Sequence, residues 1–293
     1  MKRILITGAS GFLGSALALY LLEKGCRPGL LLRPTSRLDR LNGLESEFDI
    51  CRCGSKEEIS AFVSKFQPDV VIHTACSYGR AGESNLQILE ANVSYGLIIL
   101  QQLLDSRKNT TFINTGTVLA PDVSPYAMSK HHFAEWGRTL ANQSSSLRFI
   151  NVQLQHMYGQ GDDPSKFTTH VLHACYRNDP ALELTAGEQL RDFIFIDDVV
   201  SAYALLVDKC ENIEPYLDIG LGSGVAQPVR QFVETVHSIV SSGTELLFGA
   251  LPYRTNEAMH CQADISRFRA LGWQPKYTLE TGLRKTIELE FSK

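Results

Sequence analysis

The stretch Ile4-Leu5-Ile6-Thr7-Gly8-Ala9-Ser10-Gly11-Phe12-Leu13-Gly14 decides how the rest of the chain is read. Its first residues form a continuous apolar run with no polar alternation, which predicts a strand buried on both faces, over Lys2–Thr7. The glycines that follow are spaced G-x-x-G-x-x-G. Beyond them, apolar residues at 13, 16, 17, 20 and 21 line one face of a helix over Gly11–Lys24. A glycine turn in this setting lets backbone N–H groups approach a pyrophosphate, and the helix N-terminus adds partial positive charge. The setting between strand and helix, more than the glycines themselves, points to a dinucleotide.

Working outward, apolar runs at Leu30–Leu32, Val70–Thr74, Thr111–Asn114 and Phe149–Leu154 read as further strands. Helical patterns cover Ile59–Phe66 and Glu90–Leu104. Another helix starts at Ser124-Pro125, an N-cap followed by proline at the first helical position, and runs to about Leu140. This alternation predicts an α/β chain: a Rossmann, doubly wound parallel sheet over residues 1–155. Past Gly159 the alternation weakens. A smaller mixed C-terminal substrate lobe is expected over 156–293, interleaved with the first. Gly220-x-Gly222-x-Gly224 follows the strand Tyr216–Ile219 and reads as a packing loop.

The chain has 293 residues, a net charge of −4, 44% hydrophobic and 20% charged residues. That balance makes nucleic acid a poor partner, and no apolar run reaches membrane-spanning length. Met1-Lys2-Arg3 leads straight into the first strand with no signal-peptide pattern. Seven cysteines, at 26, 51, 53, 76, 175, 210 and 261, show no disulfide-framework spacing. A reduced, cytoplasmic protein is expected. Cys51-x-Cys53 reads as a pair of half-buried strand residues, and no metal site is expected.

The end of the second strand discriminates NAD from NADP, an acid favouring the ribose 2′-OH and an arginine the 2′-phosphate. Here Leu32 is followed by Arg33-Pro34-Thr35-Ser36-Arg37, with no acid. NADP(H) is favoured over NAD, with Arg33 and Arg37 as its ligands; the alternative is that both are merely solvated. Tyr126-x-x-x-Lys130 places a phenol and an ammonium on one helix face. A neighbouring ammonium is expected to lower the phenol's pKa and suit it to proton exchange. Thr115 and Thr117 sit at the end of the preceding strand, where open α/β sheets bind ligands.

Together with Val71-Ile72-His73-Thr74-Ala75, Asn92-Val93, Tyr158-Gly159-Gln160-Gly161, Gly187–Ile194 and Leu271–Pro275, these motifs resemble the extended short-chain dehydrogenase/reductase family of nucleotide-sugar enzymes. The likeness covers nearly the whole chain. Around His156–Asp162 and Gly187–Tyr203 it is strongest to the branch that reduces the 4-keto group of CDP-linked 3,6-dideoxyhexoses. The resemblance implies cofactor contacts at Gly8, Ser10, Gly11, Phe12, Leu13, Thr74, Ala75 and Asn92. It implies proton delivery by Tyr126, tuning and ribose contact by Lys130, and a substrate hydrogen bond from Thr115 with Thr117 as the fallback. Arg191 and Arg254, the latter in Pro252-Tyr253-Arg254-Thr255-Asn256-Glu257, would grip the substrate diphosphate. A structural ion pair with Asp192 is the alternative for Arg191. His156, Lys166 and Phe167 complete the expected substrate contacts, with a packed core histidine the alternative for His156.

Departures from the family pattern sharpen the reading. No carboxylate follows Thr115, which disfavours a dehydratase. Thr117 and Gly161 stand where bifunctional epimerase-reductases carry cysteine and histidine. Cys53-Gly54-Ser55 replaces a segment that commonly offers an aspartate toward adenine. The expectation is therefore an NADPH-dependent 4-ketoreductase of a nucleotide-diphosphate sugar. The alternatives are a nucleotide-sugar epimerase with tightly bound NAD and a non-catalytic NADP-binding scaffold. The family also implies a homodimer, for which Leu97, Ile98 and Leu100 could offer a face unless they belong to the core.

Overall fold

A computed structural model describes residues 2–41 and 43–292. The first unit comprises Met1–Gln153 and Ala202–Ile219, the second Leu154–Ser201 and Gly220–Lys293. In the first, β1 (Ile4–Thr7), α1 (Phe12–Glu23), β2 (Gly29–Leu32), β3 (Asp49–Arg52), α2 (Lys56–Phe66) and β4 (Val70–His73) alternate. They are followed by α3 (Asn85–Leu89), α4 (Tyr95–Ser106), β5 (Thr110–Thr115), α5 (Pro125–Gln143) and β6 (Leu147–Leu154). The chain continues through β7 (His156–Tyr158), α6 (Phe167–Arg177), β8 (Ala181–Leu184), β9 (Leu190–Phe195), α7 (Ile196–Lys209) and β10 (Tyr216–Leu221). It closes with β11 (Ala226–Pro228), α8 (Val229–Ile239), β12 (Glu245–Phe248), β13 (His260–Cys261), α9 (Ser266–Ala270) and α10 (Leu279–Phe291).

The central sheet has the order β10-β6-β5-β4-β1-β2-β3, with parallel pairing from β3 through to β6. This is the doubly wound Rossmann arrangement the alternation predicts. All four residues of β1, β2 and β4 are buried, which is why these strands read as unbroken apolar runs. Phe112, Phe133 and Phe149 anchor one core, fully buried, with Phe112 and Phe149 stacked at 5.4 Å. Leu100 is also fully buried, and Leu97 and Ile98 pack against the same cluster, so these three residues belong to the core.

The expected single helix over Glu90–Leu104 is instead two helices joined by a π turn at Glu90–Ser94. Such turns insert an extra residue into the helical ladder and re-aim side chains, and this one contains Asn92. In the second unit, β9 pairs antiparallel with β11 and parallel with β7 and β13, while β8 and β12 form a separate parallel pair. Among the described residues no helix is long and apolar enough to cross a membrane.

Candidate active site

The cradle is built where β1 meets α1. Gly8 has φ +72°, and a Cβ there would lie 2.6 Å from the Ala75 nitrogen. A Cβ at Gly14 would run into the Gly8 carbonyl. Both glycines are therefore required by close approach, the first also by its left-handed conformation. The Thr74 hydroxyl donates to the Thr7 carbonyl at 2.8 Å, and the Ala75 N–H reaches the Thr7 hydroxyl at 3.4 Å. These bonds bring Thr74 and Ala75 against the glycine turn. Gly11 caps α1 with no side-chain hydrogen bond, and the first turn carries no acid. The helix thus keeps its positive end for an anion, and the residues present fit a dinucleotide pyrophosphate.

The loop after β2 is held from below by Arg52, whose guanidinium donates to the carbonyls of Pro34 at 3.1 Å and Ser36 at 2.8 Å. Arg33 is exposed, and Arg37, also exposed, pairs with Asp39 at 2.7 Å. Arg40 reaches from the same loop to the Ser10 carbonyl at 3.5 Å. Sequence reading named Arg33 and Arg37 and missed Arg40 and Arg52, because the bonds of those two depend on how loop and strand come together. At the end of β3 the Cys51 and Cys53 sulfurs lie 3.1 Å apart.

The second cluster forms where β5 meets α5. Ser124 caps α5, its hydroxyl accepting from the Ala127 N–H at 3.1 Å, with Pro125 as the first helical residue. That start fixes Tyr126 and Lys130 one turn apart on one face. The Thr117 and Tyr78 hydroxyls lie beside the Tyr126 phenol and favour its charged form. Thr115, by contrast, bonds through its hydroxyl to the buried Tyr203 phenol at 2.7 Å. Thr117, the expected fallback, is thus the hydroxyl in contact with Tyr126.

The electrostatics correct one expectation. Burial, followed by the Cys76 thiol, pushes the Tyr126 phenol up, with Thr117, Arg80 and Tyr78 opposing. Burial pushes the Lys130 ammonium down, with Cys76 opposing. Lys130 does not figure among the groups that lower Tyr126. Withdrawal from water disfavours the charged form of each group, and it is the leading cause for both.

Asn92 also takes a different part from the expected cofactor contact. It is fully buried, and its amide hydrogens go to the Ser77 carbonyl and the Ser129 hydroxyl, both at 2.9 Å. Its amide oxygen accepts from the Ser77 N–H at 2.7 Å. Asn92 therefore ties the loop after β4 to α5, with both of its donors engaged within the protein.

In the second unit, register sets Arg191 on β9 beside Gln227 on β11 and Cys261 on β13, with His156 on β7 opposite Phe193. The Arg191 guanidinium pairs with Glu257, not with Asp192. Neighbours on a strand point to opposite faces, so Arg191 and Asp192 cannot meet. Asp192 instead accepts from the Ser223 N–H and hydroxyl, both at 2.7 Å, the Gly224 N–H at 3.0 Å and the Ala263 N–H at 3.1 Å. The Pro252–Glu257 segment thus brings its glutamate to Arg191 and leaves Arg254 exposed. His156 is pushed down to about 4, by burial first and Arg191 second, and its Nδ1 lacks a protein partner. Lys166 holds the buried Asp162 at 2.8 Å, and Phe167 opens α6 with its ring 6.0 Å from Phe232. Glu257 and Gln227 were missed; only the terminal glutamate of the P-x-R-x-x-E pattern was a visible signal.

Residues 4–222 match the model of the NAD dependent epimerase/dehydratase family. The chain belongs to that family. It is 29% identical to CDP-abequose synthase from Salmonella typhimurium, over 97% of this chain and 97% of that protein. It is 26% identical to dTDP-glucose 4,6-dehydratase from Haemophilus influenzae, over 98% of this chain and 97% of that one. The solved UDP-glucose 4-epimerase from Stenotrophomonas maltophila with bound NAD superimposes with a TM-score of 0.89 at 17% identity, covering 100% of this chain and 98% of that one. At that identity the likeness speaks for the fold. Membership of the epimerase/dehydratase family makes the chain an NAD(P)-dependent enzyme, and the curated relatives belong to sugar-nucleotide chemistry.

Proposed function

We propose that the chain is an NADPH-dependent reductase of the 4-keto group of a nucleotide-activated deoxysugar, with a CDP-linked 4-keto-3,6-dideoxyhexose favoured. The observation that carries this reading is the grouping of Tyr126 with Lys130 on one helix face and with the Thr117 hydroxyl, and no carboxylate follows Thr115. A ketone reduction needs one proton donor and no carbon-acid base. CDP-abequose synthases, similar along essentially their whole length, support the substrate class.

In this reading the first unit binds the dinucleotide and the second the nucleotide sugar. Gly8, Ser10, Gly11, Phe12 and Leu13, with Thr74 and Ala75 packed against them, hold the pyrophosphate at the N-terminus of α1. Arg33 and Arg37 favour the 2′-phosphate of NADP(H). When bound there, the reduced nicotinamide would supply the hydride for the carbonyl carbon. Tyr126 gives its phenolic proton to the carbonyl oxygen, while the Thr115 and Thr117 hydroxyls orient that oxygen. Lys130, one helical turn from Tyr126, would hold the nicotinamide ribose. Burial favours the neutral phenol, which is the form a proton donor requires. Arg191 and Arg254 bind the diphosphate, with Lys166, Phe167 and His156 contacting the rest of the substrate. The alcohol formed would serve surface-polysaccharide synthesis in the cytoplasm. Exposed Leu86, Leu89, Val123, Met128 and Trp136 supply apolar surface for a homodimer.

The test is NADPH consumption by the purified chain with CDP-, dTDP- and GDP-linked 4-keto sugars, followed by NMR of the product. Loss of NADPH absorbance with the CDP-linked sugar is expected, and Tyr126→Phe should lower turnover about 10²–10⁴-fold while cofactor still binds. No consumption with any substrate overturns the reading. NAD that co-purifies tightly, with sugar interconversion and no net cofactor turnover, would establish an epimerase in its place.

A further inference from the structure

Tyr78 lies on the loop after β4 with 40% of its surface exposed. A large aromatic half in water on a short loop is ordinarily mobile, yet this loop is fixed at several points. Asn92 grips both the N–H and the carbonyl of Ser77. Glu83 accepts from the Ser77 hydroxyl at 2.9 Å and from the Ala81 N–H at 2.8 Å. The same Asn92 bonds Ser129, next to Lys130 on α5. The loop carrying Tyr78 and the helix carrying Tyr126 are therefore fastened by one buried side chain. The outcome of this fastening is a ring pair: Tyr78 and Tyr126 have centroids 4.7 Å apart with planes inclined at 35°. The Arg80 guanidinium lies over the Tyr78 ring, 5.2 Å from its centroid.

We propose that Tyr78 is a positioning residue for Tyr126, its ring fixing the rotamer of the proton-donating phenol and its hydroxyl, beside Arg80, stabilising the charge that develops there. The inference rests on the reading of Tyr126 as the proton donor. Ring contact of this kind restricts the second side-chain torsion of Tyr126, which is otherwise broad. When Tyr126 transfers its proton to a carbonyl oxygen, its O–H bond breaks and the electron pair stays on the phenol oxygen. A hydroxyl beside this oxygen and a guanidinium close by both favour that anion. Tyr78 and Arg80 thus take up part of the role that the helix spacing assigns to Lys130 alone. They act in the direction that opposes the effect of burial on Tyr126.

The experiment uses the full chain labelled with 3-fluorotyrosine and read by ¹⁹F NMR, with the Tyr126 signal assigned by its loss in Tyr126→Phe. Tyr78→Phe keeps the ring and removes the hydroxyl. It should raise the titration midpoint of Tyr126 by about half a pH unit or more, roughly a threefold change in its ionisation constant. Arg80→Gln should move it in the same direction. In turnover, Tyr78→Phe should lower kcat about threefold to tenfold with KM nearly unchanged, and shift the alkaline limb of the pH–rate profile upward. Tyr78→Leu, which also removes the ring, should broaden the Tyr126 signal. Thermal unfolding of each variant controls for loss of fold. A Tyr126 midpoint unmoved by both Tyr78→Phe and Arg80→Gln overturns the inference. A midpoint that moves in a chain that turns over no 4-keto sugar leaves the coupling of the two rings standing and removes the reductase reading instead.

Discussion

The two units bury their polar groups by different means. In the first, His73, Asn92, Ser129 and Lys130 are buried; His73 shares a hydrogen bond with the Thr7 hydroxyl at 2.8 Å, Asn92 bonds the Ser129 hydroxyl at 2.9 Å, and His73 lies within 6.0 Å of the rings of Tyr95, Phe112 and Phe133. In the second, carboxylates are wrapped by loop backbone. Asp192 collects three N–H groups and a hydroxyl, and Asp198 accepts from the N–H groups of Lys276 at 2.9 Å and Tyr277 at 3.1 Å. A strand sheet buried on both faces supplies its own hydrogen bonds and needs only apolar side chains. A small mixed sheet with long loops must satisfy loop amides as well, and buried carboxylates do that. The first unit should therefore fail through lost packing and the second through lost acceptors.

Truncation at the two kinds of anchor gives the largest expected effects. Phe133→Ala removes a ring fully buried between Phe112 and Phe149 and should cost about 3–5 kcal/mol of unfolding free energy. Phe133→Leu should recover much of it. Asp192→Ala strands three N–H groups, that of Ala263 in a buried bond and those of Ser223 and Gly224 in part-buried ones, and should cost about 3 kcal/mol. Here the near-isosteric Asp192→Asn should recover little, because its amide adds two donors where four already converge. Urea unfolding read by separate probes in each unit checks both. Equal rescue by the conservative substitution in the two units would erase the contrast.

Acid should sharpen it next. His156 titrates near 4 in the folded chain against 6.5 ordinarily, through burial and then Arg191. Below about pH 6.5 the unfolded chain takes up a proton that the folded chain refuses, so stability is lost as pH falls from 6.5 toward 4. His73, depressed by burial and then by Lys130, has the same sign in the first unit. The His156→Gln variant should lose less stability than the parent between pH 7 and about pH 4.5. Parallel losses in parent and variant would mean that His156 does not stay neutral.

These contrasts also explain what the sequence made legible. The glycine turn, Ser124-Pro125 and Tyr126-x-x-x-Lys130 are contiguous or one helical turn apart, so spacing alone places them. Continuous apolar strands made the first unit's topology readable. The Thr115–Tyr203 bond joins residues 88 positions apart and the Arg191–Glu257 pair residues 66 apart. No local pattern encodes either. The π turn that turns Asn92 inward was likewise invisible, since a helix with one extra residue keeps nearly the same apolar spacing. The sign of the Tyr126 shift was missed because spacing reports neighbours and not the burial that outweighs them.

The smallest effect is expected at the exposed rim of the first unit, where function and stability separate. Arg37 and Asp39 are 85% and 69% exposed, so their ion pair contributes little to folding. Arg37→Gln should leave the unfolding midpoint unchanged. If the guanidinium reads the 2′-phosphate, the same change should weaken NADPH binding about fivefold to tenfold and leave NADH binding alone, as one charge-assisted hydrogen bond would. Arg33→Gln should act likewise, and the double variant should approach equal affinity for the two cofactors. Titration of each protein with both dinucleotides decides it. If the NADPH-to-NADH ratio survives both substitutions, the discrimination does not lie in Arg33 and Arg37. Arg52, which organises their loop through carbonyls, and Arg40, which reaches the Ser10 carbonyl, would be the remaining arginines positioned to supply it.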